Sequence, residues 1–307
     1  MSKPIDKAET ERLLKLATRA SVATATILIF AKIAAYWQTD SVSILASLVD
    51  SLMDAGASII NLLAVSYALA PADKEHRFGH GKAESLAAVA QATFIAGSGL
   101  FLIVEAIERL IKPQPIESFD IGLGVMVFSV IATLILLAIQ RNVIQKTNST
   151  AIRADALHYK TDLYTNAAII LALLLSQFGW LGVDPLFALA VAGYILYSSW
   201  EIGSEAFHDL LDHEIAEEKR KQIIDIAKAH PQVRGLHDLR TRLSGRTEFI
   251  QMHLELDDEL PLIKAHDIAD EVEENIMKAI PTADVVIHLD PASTVDLDTL
   301  PIYKRSD

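Results

Sequence analysis

Long apolar runs separated by short polar segments occupy the first two thirds of the chain. Six runs are about as long as the roughly 20 residues that a helix needs to cross the hydrocarbon core of a bilayer. We expect transmembrane spans at residues 14–37, 43–69, 85–111, 121–139, 155–178 and 186–204. Two of the connecting segments, KPQPIESFD and FGWLGVDP, carry the Pro and Gly residues typical of turns. The pattern predicts an α-helical membrane protein.

The pattern changes after Gly203, where charged residues become frequent and the apolar runs shorten. An amphipathic helix, two alternating strands, a second helix and a closing strand follow in the order αββαβ. This order is typical of a small α+β sandwich of ferredoxin-like or metallochaperone-like form, with both helices on one sheet face. We therefore expect a transmembrane domain at residues 1–208, a cytoplasmic α+β domain at 209–294 and a tail at 295–307.

Two carboxylates interrupt the second apolar run. Asp50 and Asp54 stand four residues apart, a spacing that puts both side chains on one face of a helix. An ionised Asp near the bilayer centre costs roughly 3 kcal/mol on insertion scales, so the pair requires a cation, a proton or water beside it. The two residues therefore predict a polar functional site inside the membrane.

A matching pair lies in the fifth apolar run, where His158 and Asp162 also stand four residues apart. Three carboxylates and one imidazole are the number and type of ligands that a tetrahedral site of the zinc kind uses. A hydrogen bond between helices is the alternative for either pair alone. The two pairs together favour a divalent metal site near the middle of the membrane.

Basic residues set the expected orientation. They concentrate in the N-terminal segment, in the loop after the second span and in the loop after the fourth, with Lys74, Arg77, Lys82, Arg141 and Lys146 in the two loops. By the positive-inside rule these segments, both termini and the C-terminal domain are cytoplasmic. Asp50 and Asp54 then lie roughly 12 to 18 Å below the outer surface of the membrane, and His158 and Asp162 lie at a similar depth from the cytoplasmic surface.

Two further groups of potential ligands lie outside the spans. Asp73, His76 and His80 follow the second span at spacings of three and four, which suits a metal site or a charged solvated turn. In the C-terminal domain, His253 alternates away from the apolar face of its strand. The other candidates there, which could converge with His253 on a metal or remain separate surface side chains, are His237, His266, His288 and Asp290.

Composition narrows the classes of partner. The 307 residues are 51% hydrophobic and 22% charged, and they include no cysteine, so disulfides and thiolate ligands are excluded. The formal net charge of −13 argues against nucleic acid as a partner, because binding to phosphates needs a basic surface. A net negative charge is better suited to binding metal cations.

These motifs resemble the cation diffusion facilitator family, and most closely its bacterial branch that exports zinc and ferrous iron. The resemblance rests on the two four-spaced pairs, the loop ligands, the αββαβ domain and the phrases FGHGKAESLAA, LHYKTD and HDLRTR, and it extends from about Ala17 to Asp290. It implies a homodimeric transporter, not an enzyme, that exports Zn(II), Cd(II) or Fe(II) in exchange for protons.

The resemblance also implies roles for particular residues. The transport site would be Asp50, Asp54, His158 and Asp162; the loop site Asp73, His76 and His80; and a binuclear cytoplasmic site His237, His253, His266, His288 and Asp290. Leu157 would be part of a hydrophobic gate, and Lys82 with Asp212 would interlock the subunits. The sequence departs from the family at Leu289, whose side chain offers no ligand where a relative carries Gln.

Metal and protons would compete for the same lone pairs of the transport site, which would couple their movements. His158 is the expected proton carrier, because imidazole changes charge near neutral pH. An intramembrane metallohydrolase is disfavoured, since the chain has no His-Glu-x-x-His motif and no ligand to spare for an open metal position. A passive channel or a metal sensor remains the alternative, although a closed four-ligand site suits alternating access better than rapid conduction.

Overall fold

The computed structural model describes residues 7–39, 42–111, 120–176 and 183–295. They form two compact units. The first is drawn from Met1–Pro71 and Ala83–Phe207, and the second from Ala72–Lys82 and His208–Asp307. The loop after the second helix thus belongs to the same unit as the C-terminal domain. The predicted tail at 295–307 lies outside the described residues except for Val295.

Within the described residues, six long helices correspond to the six predicted apolar runs. They are α1 (Lys7–Thr39), α2 (Val42–Ala68), α3 (Lys82–Ile111), α4 (Asp120–Thr147), α5 (Thr150–Ser176) and α6 (Val183–Leu210). Four stretches of the described chain are long and apolar enough to cross a membrane: Ala8–Gln38, Ser47–Ala68, Lys82–Glu108 and Gly124–Thr147. The count of six spans stays a prediction.

Helix α5 is the central packing element of the first unit. Ala151 and Ile152 join one buried cluster with side chains of α1, α2 and α4, whereas Ala154 and Leu157 join a second with side chains of α3 and α6. Large apolar side chains elsewhere in the unit point outward; Phe30 and Phe101, for example, are 66% and 69% exposed. An apolar exterior around a small-residue core is what a bilayer stabilises, because lipid solvates apolar side chains.

The second unit contains the αββαβ domain that the sequence predicts. Its elements are α7 (Glu217–Lys228), β1 (Gly235–Ser244), β2 (Thr247–Leu256), α8 (Leu262–Ala279), β3 (Ala283–Pro291) and a short 3₁₀ helix (Ala292–Thr294). The strand order is β1-β2-β3, with β1 and β2 antiparallel and β2 and β3 parallel. Alternation in β2 buries Ile250, Met252 and Leu254 against both helices and leaves His253 on the opposite face.

The loop 72–82 packs on the β1–β2 hairpin. The ring of Phe78 meets Phe249 edge to face at 5.5 Å, and the guanidinium of Arg242 lies over both rings at 5.1 and 4.4 Å. Gly81 passes so close to the turn of the hairpin that a Cβ atom there would clash with the backbone of Ser244 and Gly245. The loop is therefore held by specific contacts.

Candidate metal centres

The first centre joins α2 to α5 inside the first unit. His158 Nε2 and Asp54 Oδ1 are 2.9 Å apart, and the two residues are only 6% and 8% exposed. Asp162, one turn further along α5, completes a group whose ligand atoms all lie within 4.8 Å of one another. Ligands of a tetrahedral Zn(II) lie about 3.4 Å apart, so small side-chain movements would close this group around an ion.

The fourth predicted ligand, Asp50, lies one helical turn before Asp54. It is outside the group of three but lines the same cavity of about 580 Å³ as Asp54, His158 and Asp162. Hydroxyl and amide side chains of α3 and α5, including Thr93 and Asn166, contribute to the lining of that cavity. The structure thus brings three of the four residues together and places the fourth on the wall of the same cavity.

Leu157 precedes His158 and is 3% exposed in the apolar cluster shared by α3, α5 and α6. The ring of His158 lies edge-on to Phe94 and Tyr159, with centroids 6.2 and 5.5 Å away. Apolar side chains therefore surround the imidazole. This position is compatible with the predicted gate, whose operation stays a prediction.

Sequence reasoning missed a polar network one turn before His158. Asp155 is fully buried and accepts hydrogen bonds from Ser21 Oγ at 2.5 Å, Gln140 Nε2 at 2.7 Å and Gln91 Nε2 at 3.2 Å. These donors lie on α1, α4 and α3, so one carboxyl ties three helices to α5. The available signal was a second acidic residue on the same apolar helix, three positions before the predicted ligand His158.

The loop residues form the second group. The backbone N–H groups of Glu75 and His76 donate to Asp73 Oδ1 at 2.8 and 2.7 Å, and His80 Nε2 lies 3.3 Å from Asp73 Oδ2. The hydrogen bond from His76 and that from Glu75, with the nearby imidazoles, lower the pKa of Asp73. The carboxyl group is therefore ionised and available to a cation throughout the neutral range.

The third group lies across the sheet of the C-terminal domain. His237, His253 and His288 are in register on β1, β2 and β3, so their side chains form one row. Asp290 Oδ2 is 2.7 Å from His253 Nδ1 and 3.4 Å from His237 Nε2, while its Oδ1 is 3.3 Å from His288 Nε2. Cross-strand register thus gathers three of the five predicted residues around the carboxylate of a fourth, Asp290.

The fifth predicted residue is elsewhere in the domain. His266 lies on α8, where its Nε2 is 3.4 Å from Asp270 Oδ2 and both side chains are more than half exposed. Two acidic residues outside the predicted set do flank the row: Glu255 Oε1 is 2.9 Å from His237 Nδ1, and Asp238 Oδ2 is 3.8 Å from His253 Nε2. Alternation could have found Glu255, which follows His253 by two positions on the same face.

Leu289, the position at which the sequence departs from the family, packs against the hydrophobic core of the domain.

Lys82 and Asp212 form an ion pair within one chain, with Nζ 2.9 Å from Oδ1, and Arg242 Nη1 is 3.4 Å from the same oxygen. Partial burial opposes ionisation of the Asp212 carboxyl, but the hydrogen bond and charge of Lys82, aided by Arg242, outweigh it and lower the pKa. Its part in joining two subunits stays a prediction.

Two family models match the chain. The cation efflux transmembrane domain matches residues 18–211, and the cytoplasmic domain of cation efflux proteins matches residues 215–292. The cation-efflux pump FieF of Salmonella agona (strain SL483) is 54% identical over 284 residues, which are 92% of this chain and 95% of that protein. The chain belongs to the cation efflux family.

The FieF pump of Salmonella enteritidis PT4 (strain P125109) shows the same identity and coverage. Among solved structures, the Zn form of CzrB is 26% identical, with a TM-score of 0.27, over 28% of this chain and 98% of that one. The metal-bound C-terminal domain of the CzcD transporter from Thermotoga maritima is 26% identical, with a TM-score of 0.25, over 26% and 93%.

Membership of the family confirms the predicted resemblance and makes the protein a cation efflux transporter of the membrane, not an enzyme. The predicted fold class, helical membrane domain followed by a small α+β domain, is also confirmed. Three groups of residues could hold a metal ion in the described part of the chain.

Proposed function

We propose that the protein exports Zn(II), and also Cd(II) and Fe(II), from the cytoplasm in exchange for protons, by alternating access. The transport site is Asp50, Asp54, His158 and Asp162. The observation that carries this proposal is the convergence of two carboxylates and an imidazole inside the apolar helical unit, with Asp54 and His158 buried and Asp162 half-buried. A buried group of this charge requires a cation or protons to be stable.

Proton coupling is supported by the contact between His158 Nε2 and Asp54 Oδ1. At 2.9 Å the two atoms share a hydrogen, because an ionised carboxylate only accepts and one of the pair has to donate. A metal ion that uses either lone pair would displace that hydrogen. Metal and proton therefore exclude each other at this pair of atoms, and exchange between them would drive antiport, with His158 as the carrier.

The choice of metal follows from the ligand types. Carboxylate oxygens with one imidazole nitrogen in a tetrahedral arrangement suit Zn(II) and tolerate Cd(II) and Fe(II), whereas Mg(II) prefers six oxygens. Since the chain has no cysteine, Cu(I) would lack its usual thiolate donors. The transported ion is thus expected to be a borderline divalent metal.

Orientation and assembly belong to the same proposal. Both termini face the cytoplasm of a bacterium, the protein spans the inner membrane six times, and two copies form a homodimer interlocked through Lys82 and Asp212. The loop site of Asp73, His76 and His80 holds metal weakly, because it offers only three ligands and two of its side chains are half exposed. It either guides ions to the pore or senses cytoplasmic metal.

The row of His237, His253 and His288 with Asp290 holds a resident Zn(II) in the cytoplasmic domain. Such a metal stabilises or regulates the transporter and is not carried across the membrane. Its support is the register of the three strands, which aligns the imidazoles.

The test is zinc uptake into proteoliposomes with an imposed pH gradient, comparing the native protein, Asp54→Ala and the control Asp284→Ala at an exposed strand position. Flux that needs both the gradient and Asp54, and that persists in the control, is the expected result. Flux indifferent to the gradient would point to a channel. Tight zinc binding without flux would indicate that the protein is a metal sensor.

A further inference from the structure

A buried lysine lies beside the transport site on α1, and neither metal binding nor proton exchange uses it. Lys32 is 8% exposed in an otherwise apolar part of the helix. Its ammonium donates to the carbonyl oxygen of Ser47 at 2.9 Å and to Ser51 Oγ at 2.6 Å, both on α2. These two residues lie on either side of Asp50 in the sequence, so the lysine is attached to the turn that carries a predicted ligand.

The carboxylates of the site share this neighbourhood, because Asp50 and Asp54 lie on the helix to which the ammonium is bonded and Asp162 lies beside Asp54. In the part of the chain that the structure describes, none of them comes within 4.0 Å of the ammonium, and its hydrogen bonds go to uncharged oxygens. An ion pair would occupy carboxylate lone pairs that a metal needs. Without an ion pair, the lysine offsets charge and leaves those lone pairs free.

We propose that Lys32 is a fixed countercharge that weakens the hold of the transport site on its divalent cation, so that the ion can leave. The inference rests on the proposed function, since it deepens the role of the same site. A site with three carboxylates binds a divalent ion tightly in a low-dielectric interior, and a transporter must also release it. Because the ammonium is attached to α2, its distance from Asp50 stays constant while α5 moves relative to α2.

The experiment separates the charge from the hydrogen bonds. Lys32→Gln keeps a donor that can reach Ser47 or Ser51 but loses the charge, Lys32→Arg keeps both, and Lys146→Met removes a surface charge at the end of α4 as the control. Zinc flux in proteoliposomes at pH 8 gives KM and kcat for each. In Lys32→Gln we expect KM to fall on the order of tenfold and kcat to fall with it, because the ion binds more tightly and leaves more slowly.

Lys32→Arg is expected to restore the native KM and Lys146→Met to leave it unchanged. A residue that only supports the fold would lower kcat or raise KM, and would not tighten binding. Unchanged or raised KM in Lys32→Gln, or an Arg variant that behaves like the Gln variant, would overturn the inference. If Lys32→Gln does not fold, Lys32→Met takes its place, and failure of both would make the lysine structural and also overturn it.

The same assay keeps the two proposals distinguishable. Native flux that does not depend on Asp54 would refute the transport site itself. Native flux that needs Asp54, together with an unchanged KM in Lys32→Gln, would leave the transport site standing and remove only the countercharge.

Discussion

The membrane centre and the cytoplasmic centre use the same two ligand types but are built by different geometry. In the membrane unit, helix periodicity puts ligands four residues apart, and the side chains of His158 and Asp54 are 7% and 12% exposed. In the cytoplasmic domain, strand register aligns the imidazoles, whose exposure rises along the row from 7% at His237 to 32% at His253 and 64% at His288. Water therefore solvates the far end of the row, whereas the contact between His158 and Asp54 is buried.

This difference in exposure separates the expected roles. A buried contact between an imidazole and a carboxylate is stable with a proton or a metal ion between them, so we expect departure of the metal to require the arrival of protons. A cluster with exposed members can be solvated by water instead. This contrast supports the proposal that coupled transport belongs to the buried centre and a resident or regulatory metal to the exposed one.

The largest expected effect compares the two centres directly. His158→Ala should lower zinc flux on the order of 100-fold or more, because it removes the one imidazole among the four proposed ligands and leaves Asp54 without its buried partner. His253→Ala, at the half-exposed centre, should lower flux less than tenfold. Both are measured as initial zinc uptake in proteoliposomes at matched protein amounts. Equal losses in the two variants would contradict the division of roles.

The two centres also differ in how far they could be predicted from sequence. The pairs Asp50 with Asp54 and His158 with Asp162 were found because a four-residue spacing fixes one helix face whatever the neighbours are. Only three of these four converge closely, since the position of Asp50 on the cavity wall depends on how α2 packs. The spacing of residues along one helix does not determine how that helix packs against its neighbours.

Strand register was harder to predict. Alternation gave the correct face for His253, but the partner of each residue depends on the turn and on the irregularity between His237 and Arg240, where Asp238 has a φ of 47°. Sequence could not exclude His266 from the row, because its helix position leaves the direction relative to the sheet undetermined. The Asp155 network was missed because its partners Gln91 and Gln140 are scattered over separate helices.

A second prediction compares two carboxyl groups beside the two centres. Asp155→Ala leaves the buried donors of Ser21, Gln91 and Gln140 without their acceptor, which costs about 1–3 kcal/mol and should lower the apparent melting temperature in detergent by about 5 °C. Glu255→Ala should lower it by less than about 2 °C, because His237, which loses its contact with Glu255, keeps its contact with Asp290.

Asp155→Asn is the matched control, because its amide oxygen still accepts two of the three hydrogen bonds. We expect its melting temperature to lie between those of the native protein and Asp155→Ala. Equal melting temperatures for Asp155→Ala and Glu255→Ala would show that the number of donors left without an acceptor does not control the contribution of a carboxyl group.

The smallest expected effect tests how the loop is held on the cytoplasmic unit. Lys82 and Arg242 lower the pKa of Asp212, so ionisation of this carboxyl stabilises the folded state. For a lowered carboxyl pKa the contribution is fully present above the unfolded pKa and is lost as pH falls through the folded value. Because the Asp212 side chain is 47% exposed, the contribution is small, about 0.5 kcal/mol.

Asp212→Asn should therefore speed hydrogen exchange of the loop amides at pH 7 by about twofold, whereas the native protein and the variant should exchange alike once pH falls below the lowered pKa of the folded state. High salt should also reduce the difference at pH 7, because it screens exposed ion pairs. A difference that persisted at high salt would assign the effect to packing of Phe78 and Gly81 on the hairpin. That outcome would make apolar contact, and not charge, the interaction that holds the loop.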